Sequence, residues 1–166
     1  MSRGFVKEED QEEVPMVPPR AYLPDGVTNY VTQEGMDLLL AERQSLMGEK
    51  DGLDALNENE RRISLNYVNA KLQLLEQRIS SAKIIDIKEQ PQDEVRFGAT
   101  ITLQKEDTGQ IEKYQIVGVD ETDISKGKIS FISPMAKVLI NKKVGDRAIL
   151  KLVDKERVFE ILEIAY

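Results

Sequence analysis

The side chains able to do chemistry are few, and the densest group of them sits in one short stretch. Residues 51–62 read DGLDALNENERR, with carboxylates at Asp51, Asp54, Glu58 and Glu60, followed by Arg61 and Arg62. Histidine and cysteine are absent from all 166 residues. That excludes zinc centres of the Cys/His type, thiol nucleophiles, Ser-His-Asp triads and disulfides. The four acids keep one chemistry, oxygen ligation of a hard cation. A plainer reading stands beside it: the acids solubilise a helical turn, with Glu58 or Glu60 facing the positive end of a helix dipole. A second candidate is Ile132-Ser133-Pro134-Met135. Ser133 can cap a helix, Pro134 fits its first position, and Met135 is a soft residue suited to a partner surface.

Composition limits what surrounds these groups. A chain of 18.8 kDa fits one ordinary domain or two small ones, and 32% charged residues point to surface-rich helices. The net charge of −7 argues against a broad phosphate-binding surface, which needs Lys and Arg. Any contact with nucleic acid is therefore expected to be indirect. No apolar run approaches the roughly 20 residues that span a bilayer. The opening MSRGFVKEED is too acidic and polar for a secretion signal. A cytoplasmic protein without membrane partners is expected.

The elements that would position the candidates can be read in order. Residues 1–28 combine Glu8, Glu9, Asp10, Glu12 and Glu13 with four prolines, and read as an extended arm. Phe5, Val14, Met16, Val17 and Tyr22 give parts of that arm a means of lying along the folded body. Thr32 is a plausible N-cap for a first helix, with Glu34 in its first turn. Apolar pairs recur at Leu39/Leu40 and Leu46/Met47, then at Leu53, seven apart. A second helix shows the cleaner seam, with Leu65, Val68, Leu72, Leu75, Ile79 and Ala82 spaced 3, 4, 3, 4 and 3. Neither arm buries enough alone, so residues 30–86 should form an antiparallel coiled-coil hairpin that reverses near Asn57. Gly48 and Gly52 should loosen the last turns of the first arm. Residues 87–94, around Pro91, read as a linker.

From residue 95 the pattern changes to strands. VRFGATITLQ and KYQIVGV alternate around a turn at 106–109, KISFI adds a third, and a last hairpin folds around Asp154-Lys155. Between them Ser133 and Pro134 begin a short helix. The fold class is therefore α+β: an N-terminal helical hairpin, then a mostly antiparallel sheet domain with one short helix at 95–166.

Residues 129–146, ISFISPMAKVLINKKVGD, closely resemble the C-terminal signature of the bacterial GreA/GreB transcription factors. The matching positions are Ile129, Ser130, Ser133, Pro134, Met135 and Ala136, then Leu139, Ile140, Lys142, Gly145 and Asp146. AKIIDIKEQPQDEVRFGATITL is similar to the family's junction between coil and sheet, and YVTQEGMDLLLAE to its opening helix. The resemblance covers about residues 30–166. It implies an FKBP-like C-terminal domain that binds RNA polymerase at the rim of the secondary channel, with Ile132, Ser133, Pro134 and Met135 as the contact. It also implies a hairpin inserted toward the active site, where tip carboxylates help hold a second Mg²⁺ and the polymerase cuts its own backtracked transcript. On that reading the protein is a monomer, is not itself an enzyme, has no cofactor of its own, and meets Mg²⁺ only in the polymerase.

This chain departs from the family at the tip. Cleavage-competent members carry Gly-Asp-Leu-x-Glu-Asn-Ala-[Glu/Asp]-Tyr, of which only a Glu58-Asn59 echo is present here. The hairpin is also shorter than the family's by about two turns per arm, roughly 10 Å of reach. Weak stimulation of cleavage is expected, with Arg61 and Arg62 competing for the nearby acids. Two other functions are weighed against this one. An FKBP-type peptidyl-prolyl isomerase would need an aromatic pocket built from Phe97, Phe131, Phe159, Tyr114 and Tyr166. A coiled-coil adaptor unrelated to transcription would need only the hairpin.

Overall fold

The computed structural model describes residues 15–166. Residues 1–14, which include Phe5, Val14 and the acidic run of the expected arm, lie outside the described residues. Residues 15–28 contain no helix or strand.

The hairpin forms where the heptad spacing places it. Helix α1 is Gln33–Asp51 and helix α2 is Glu58–Ser81. Thr32 opens α1 by accepting a hydrogen bond from the Gly35 amide at 2.9 Å, and Asn57 opens α2 by accepting from Glu60 at 2.9 Å. Each cap satisfies one of the amides that a helix start leaves without a partner. Gly52–Ala55 tightens into a 3-10 turn, as the weak helix formers at Gly48 and Gly52 suggested. Leu39, Leu46, Val68 and Leu75 are buried between the helices, with Leu72 and Ile79 packed against them. Only one member of each α1 leucine pair faces inward. Leu40 is 36% and Met47 53% exposed, because i and i+1 point about 100° apart around a helix.

A short parallel pairing closes the hairpin's base and was not foreseen from the sequence. Strand β1, Asn29–Val31, runs beside β2, Ala82–Ile84, in the register Asn29↔Ala82 to Val31↔Ile84. Asn29 is buried there, and its amide nitrogen donates to the Arg78 carbonyl at 3.0 Å near the end of α2. Val31 belongs to the hairpin core.

The second unit is a five-stranded sheet. Strands β3 (Thr100–Lys105), β4 (Ile111–Val117), β5 (Lys128–Ser130), β6 (Arg147–Lys151) and β7 (Glu156–Ala165) lie in the order β5-β4-β3-β7-β6. All neighbours are antiparallel except β4 and β5. Helix α3, Pro134–Leu139, contributes Ala136 and Leu139 to a core with Ile101, Leu103, Ile116, Ala148, Phe159 and Ile161. The strands are shorter than the alternation predicts, for local reasons. Residues 95–99 turn instead, with the Ala99 amide bonded to the Arg96 carbonyl at 3.1 Å. Beyond Val117 the chain enters a 3-10 turn at Val119–Glu121. Beyond Ser130 it folds back, with Ser133 donating to the Ser130 carbonyl at 2.9 Å.

Two outcomes follow for stability. Leu75 is fully buried, so Leu75→Ala should cost about 2–5 kcal/mol in chemical denaturation. Met47→Ala, on the solvent face, should stay within about 0.5 kcal/mol of the unchanged chain. Tyr114 gives a pH signature. Burial and a 2.7 Å hydrogen bond to Glu112 push its phenol up to about 12. A raised folded-state value means the contribution is fully present below the ordinary 10.0 and is lost as pH rises through about 12. Ultraviolet titration should show a phenolate appearing at about 12, and Tyr114→Phe should remove that step.

Candidate functional site

The helix start at residues 132–135 is built by local hydrogen bonds. The Ser133 hydroxyl accepts from the Ala136 amide at 3.2 Å, and the Ser130 hydroxyl accepts from the Ile132 amide at 3.2 Å. Pro134 stands at the first helical turn and is exposed, while Ile132 and Ser133 are half-buried. Met135 is half-buried and packed against the sheet core. Met135, expected as a soft residue for a partner surface, is thus partly engaged within the fold: two residues from the cap, its side chain turns toward the sheet that α3 must cover. Of the four residues, Pro134 is the one offered fully to solvent. The rest of the signature has a structural task. Asp146 accepts from the Lys143 amide at 2.8 Å, and Val95 donates to the Lys142 carbonyl at 2.8 Å, fixing the turn after α3 to the start of the sheet.

The hairpin tip carries Asp51 at the end of α1, Asp54 in the 3-10 turn, and Glu58 and Glu60 in the first turn of α2. All four are exposed. Among the described residues no three acidic side chains gather closely enough to hold a metal ion. Glu58 and Glu60 do lie where the α2 dipole favours negative charge. The expected pairing of Arg61 and Arg62 with these acids is not found: Arg62 donates instead to Asn59 at 3.2 Å, and neither arginine forms an ion pair among the described residues. Asn59 lies three residues before Arg62, on the same face of α2.

The aromatic residues of the sheet domain are engaged elsewhere. Phe159 is fully buried. The Tyr166 hydroxyl accepts from the Arg96 backbone amide at 2.7 Å and donates to the Glu94 carbonyl at 2.5 Å. Phe97 and Phe131 meet edge to face at 5.7 Å, and Tyr30 from β1 packs on both, at 6.0 and 5.6 Å. Tyr30 thereby covers the faces that Phe97 and Phe131 turn toward the hairpin.

The base of the hairpin and the sheet unit are joined through a junction that sequence reasoning missed. The Glu121 side chain is 2% exposed and accepts from the Thr32 hydroxyl and from Lys128 at 3.2 Å. Lys128 also reaches Glu34 at 3.1 Å. Burial, the largest single influence on the Lys128 ammonium, lowers its pKa. The hydrogen bonds and charges of Glu34 and Glu121 together outweigh it and hold the pKa above the usual lysine value. Two glycines permit the approach. A Cβ on Gly35 would lie 2.6 Å from the Glu121 carboxylate, and one on Gly118 would lie 2.5 Å from the Tyr30 carbonyl. The legible signal was a glycine inside the first turn of a helix, where its low propensity needs a reason.

Residues 90–166 match the family model of the C-terminal domain of the transcription elongation factors GreA and GreB. The transcription elongation factor GreA of Maricaulis maris is 42% identical over 100 residues, which is 60% of this chain and 64% of that protein. That of Alkalilimnicola ehrlichii is 41% identical over 102 residues, 61% of this chain and 65% of its own length. The match thus spans just under two thirds of these relatives. Among solved structures, the GreA factor homolog 1 (Gfh1) protein of Thermus thermophilus aligns over 84% of this chain and 100% of its own, with 20% identity and a TM-score of 0.39. Residues 90–166 of this chain are thus similar to the C-terminal domain of the GreA/GreB transcription elongation factors.

Proposed function

We propose that this chain regulates transcription elongation by binding RNA polymerase at its secondary channel, without efficient stimulation of transcript cleavage. Residues 95–166 are read as an FKBP-like docking domain, with Ile132–Met135 against the polymerase, and residues 30–86 as the inserted part. The observation that carries this reading is the family match over residues 90–166, which includes the helix start at Ser133-Pro134. The protein acts as a monomer in the cytoplasm, uses no cofactor of its own, and meets Mg²⁺ and nucleic acid only through the polymerase. The tip supports the non-cleaving part. A carboxylate must lie about 2.1 Å from Mg²⁺ to ligate it. The four tip acids are exposed and ungathered, and the cleavage motif is missing. Occlusion of the channel needs only bulk, which a two-helix plug supplies.

Two experiments test the two halves of the reading. Pro134→Asp suits docking, because aspartate at a helix start is favoured by the dipole and should leave the melting temperature unchanged. A charge placed in a desolvated contact costs several kcal/mol, so polymerase affinity should fall more than tenfold. Equal affinity would remove this surface from the interface. Met135→Asp is not diagnostic, since it would also disturb the sheet core. For the tip, saturating protein added to halted, backtracked complexes should leave the transcript length unchanged while competing with a GreA factor. Rapid Mg²⁺-dependent shortening, abolished when Asp51, Asp54, Glu58 and Glu60 are all changed to Ala, would reverse the conclusion.

A further inference from the structure

The segment before β1 does more than lead into the hairpin. Residues 17–23 lie along both helices beside Leu46, Leu74, Gln77 and Ser81, and their centre is Arg20. The Arg20 guanidinium donates twice to Glu42 of α1, at 2.8 and 3.0 Å, and once to Asp120 of the sheet unit at 3.1 Å. Arg78 of α2 donates to the Ala21 carbonyl and lies 3.5 Å from the other Asp120 oxygen. Three parts of the chain therefore meet at one carboxylate whose side chain is 7% exposed.

We infer that residues 17–23 form a strap whose Arg20 locks the direction of the hairpin relative to the sheet. Glu121 holds the sheet to the start of α1, at Thr32 and Gly35. Tyr30 on Phe97 and Phe131 and Lys128 with Glu34 hold the same end, and contacts gathered at one end of a rod let it tilt. Glu42 lies seven residues beyond Gly35, about 10 Å further along the helix. The bridge from Glu42 through Arg20 to Asp120 adds a second point at that distance, and two separated points fix an axis. Helix α1 is roughly 28 Å long, so a tilt of about 20° at its base would carry the tip some 10 Å sideways. Arg20 is suited to this role because a planar guanidinium can serve two carboxylates at once. Without it, Asp120 keeps no hydrogen bond: its second oxygen has none even now, only the ion pair with Arg78. A buried carboxylate in that state is relieved by opening toward water. The inference stands on this chain's own contacts and is independent of polymerase binding.

The absence of native cysteine allows two spin labels to be placed cleanly. Leu56→Cys at the tip and Val153→Cys in the β6–β7 turn are both exposed positions. Electron–electron resonance between them should give one narrow distance distribution in the otherwise unchanged chain. Arg20→Ala should broaden it or add a second distance, and Arg20→Lys should restore it only in part. Glu42→Gln cuts the same link at a partly exposed carboxylate outside both cores, and should broaden the distribution while circular dichroism stays unchanged. A broad distribution in the parent chain would overturn the strap, as would Arg20→Ala or Glu42→Gln distributions superposing on a narrow parent one.

Discussion

The Glu121 carboxylate is buried where the two halves of the protein meet, and it is supported from both sides. Thr32 gives its hydroxyl proton to this carboxylate while the same oxygen accepts the Gly35 amide, so one side chain both starts α1 and anchors it to the sheet. Lys128 supplies the opposing charge from β5. A buried carboxylate without such partners would be strongly unfavourable, so helix start, strand and 3-10 turn are bound to one another. The glycines at 35 and 118 follow from this contact, because nothing larger lets the backbones come close enough.

Around that junction the apolar material is divided into two separate cores. One lies between α1 and α2 and draws in Val31, and the other lies between α3 and the sheet. The contacts between the halves are largely polar, apart from the packing of Tyr30 on Phe97 and Phe131. Hydrophobic burial therefore stabilises each half within itself, and directional interactions set the angle between them. The similarity to GreA/GreB factors lies in the sheet half, while the polar contacts set how the hairpin half is held against it.

Much of this was legible from residue patterns. The seam from Leu65 to Ala82 fixed α2 because five successive 3–4 spacings allow no other period. Thr32 and Ser133 announced helix starts by local chemistry alone. The pairing of Asn29–Val31 with Ala82–Ile84 was hidden because three residues carry no measurable alternation. The strand reading of residues 95–104 overshot because alternation says nothing of a turn closed by Arg96 and Ala99. At the candidate surfaces, residue type identified Met135 as adaptable but not which way it faced. The ion pairs of Arg20, Arg78 and Asp120 join residues up to 100 positions apart, and pairings at that separation leave no local trace. Exposure of the tip acids was foreseeable; their failure to gather was not, since it depends on the turn geometry.

Strand β7 stands between β3 and β6 although it is the last strand in the sequence. During synthesis at about 5–20 residues per second, the sheet must wait for that strand before its centre can close. Both helices of the hairpin and the β1–β2 clasp that ties their base are made well before then. The hairpin thus has a head start as an autonomous folding unit, while strands β3 and β4 wait with an open edge. The exposed Lys113 on β4, with the half-buried pair of Glu112 on β4 and Lys105 on β3, places charge along that waiting pair, a safeguard against adhesion to other nascent chains.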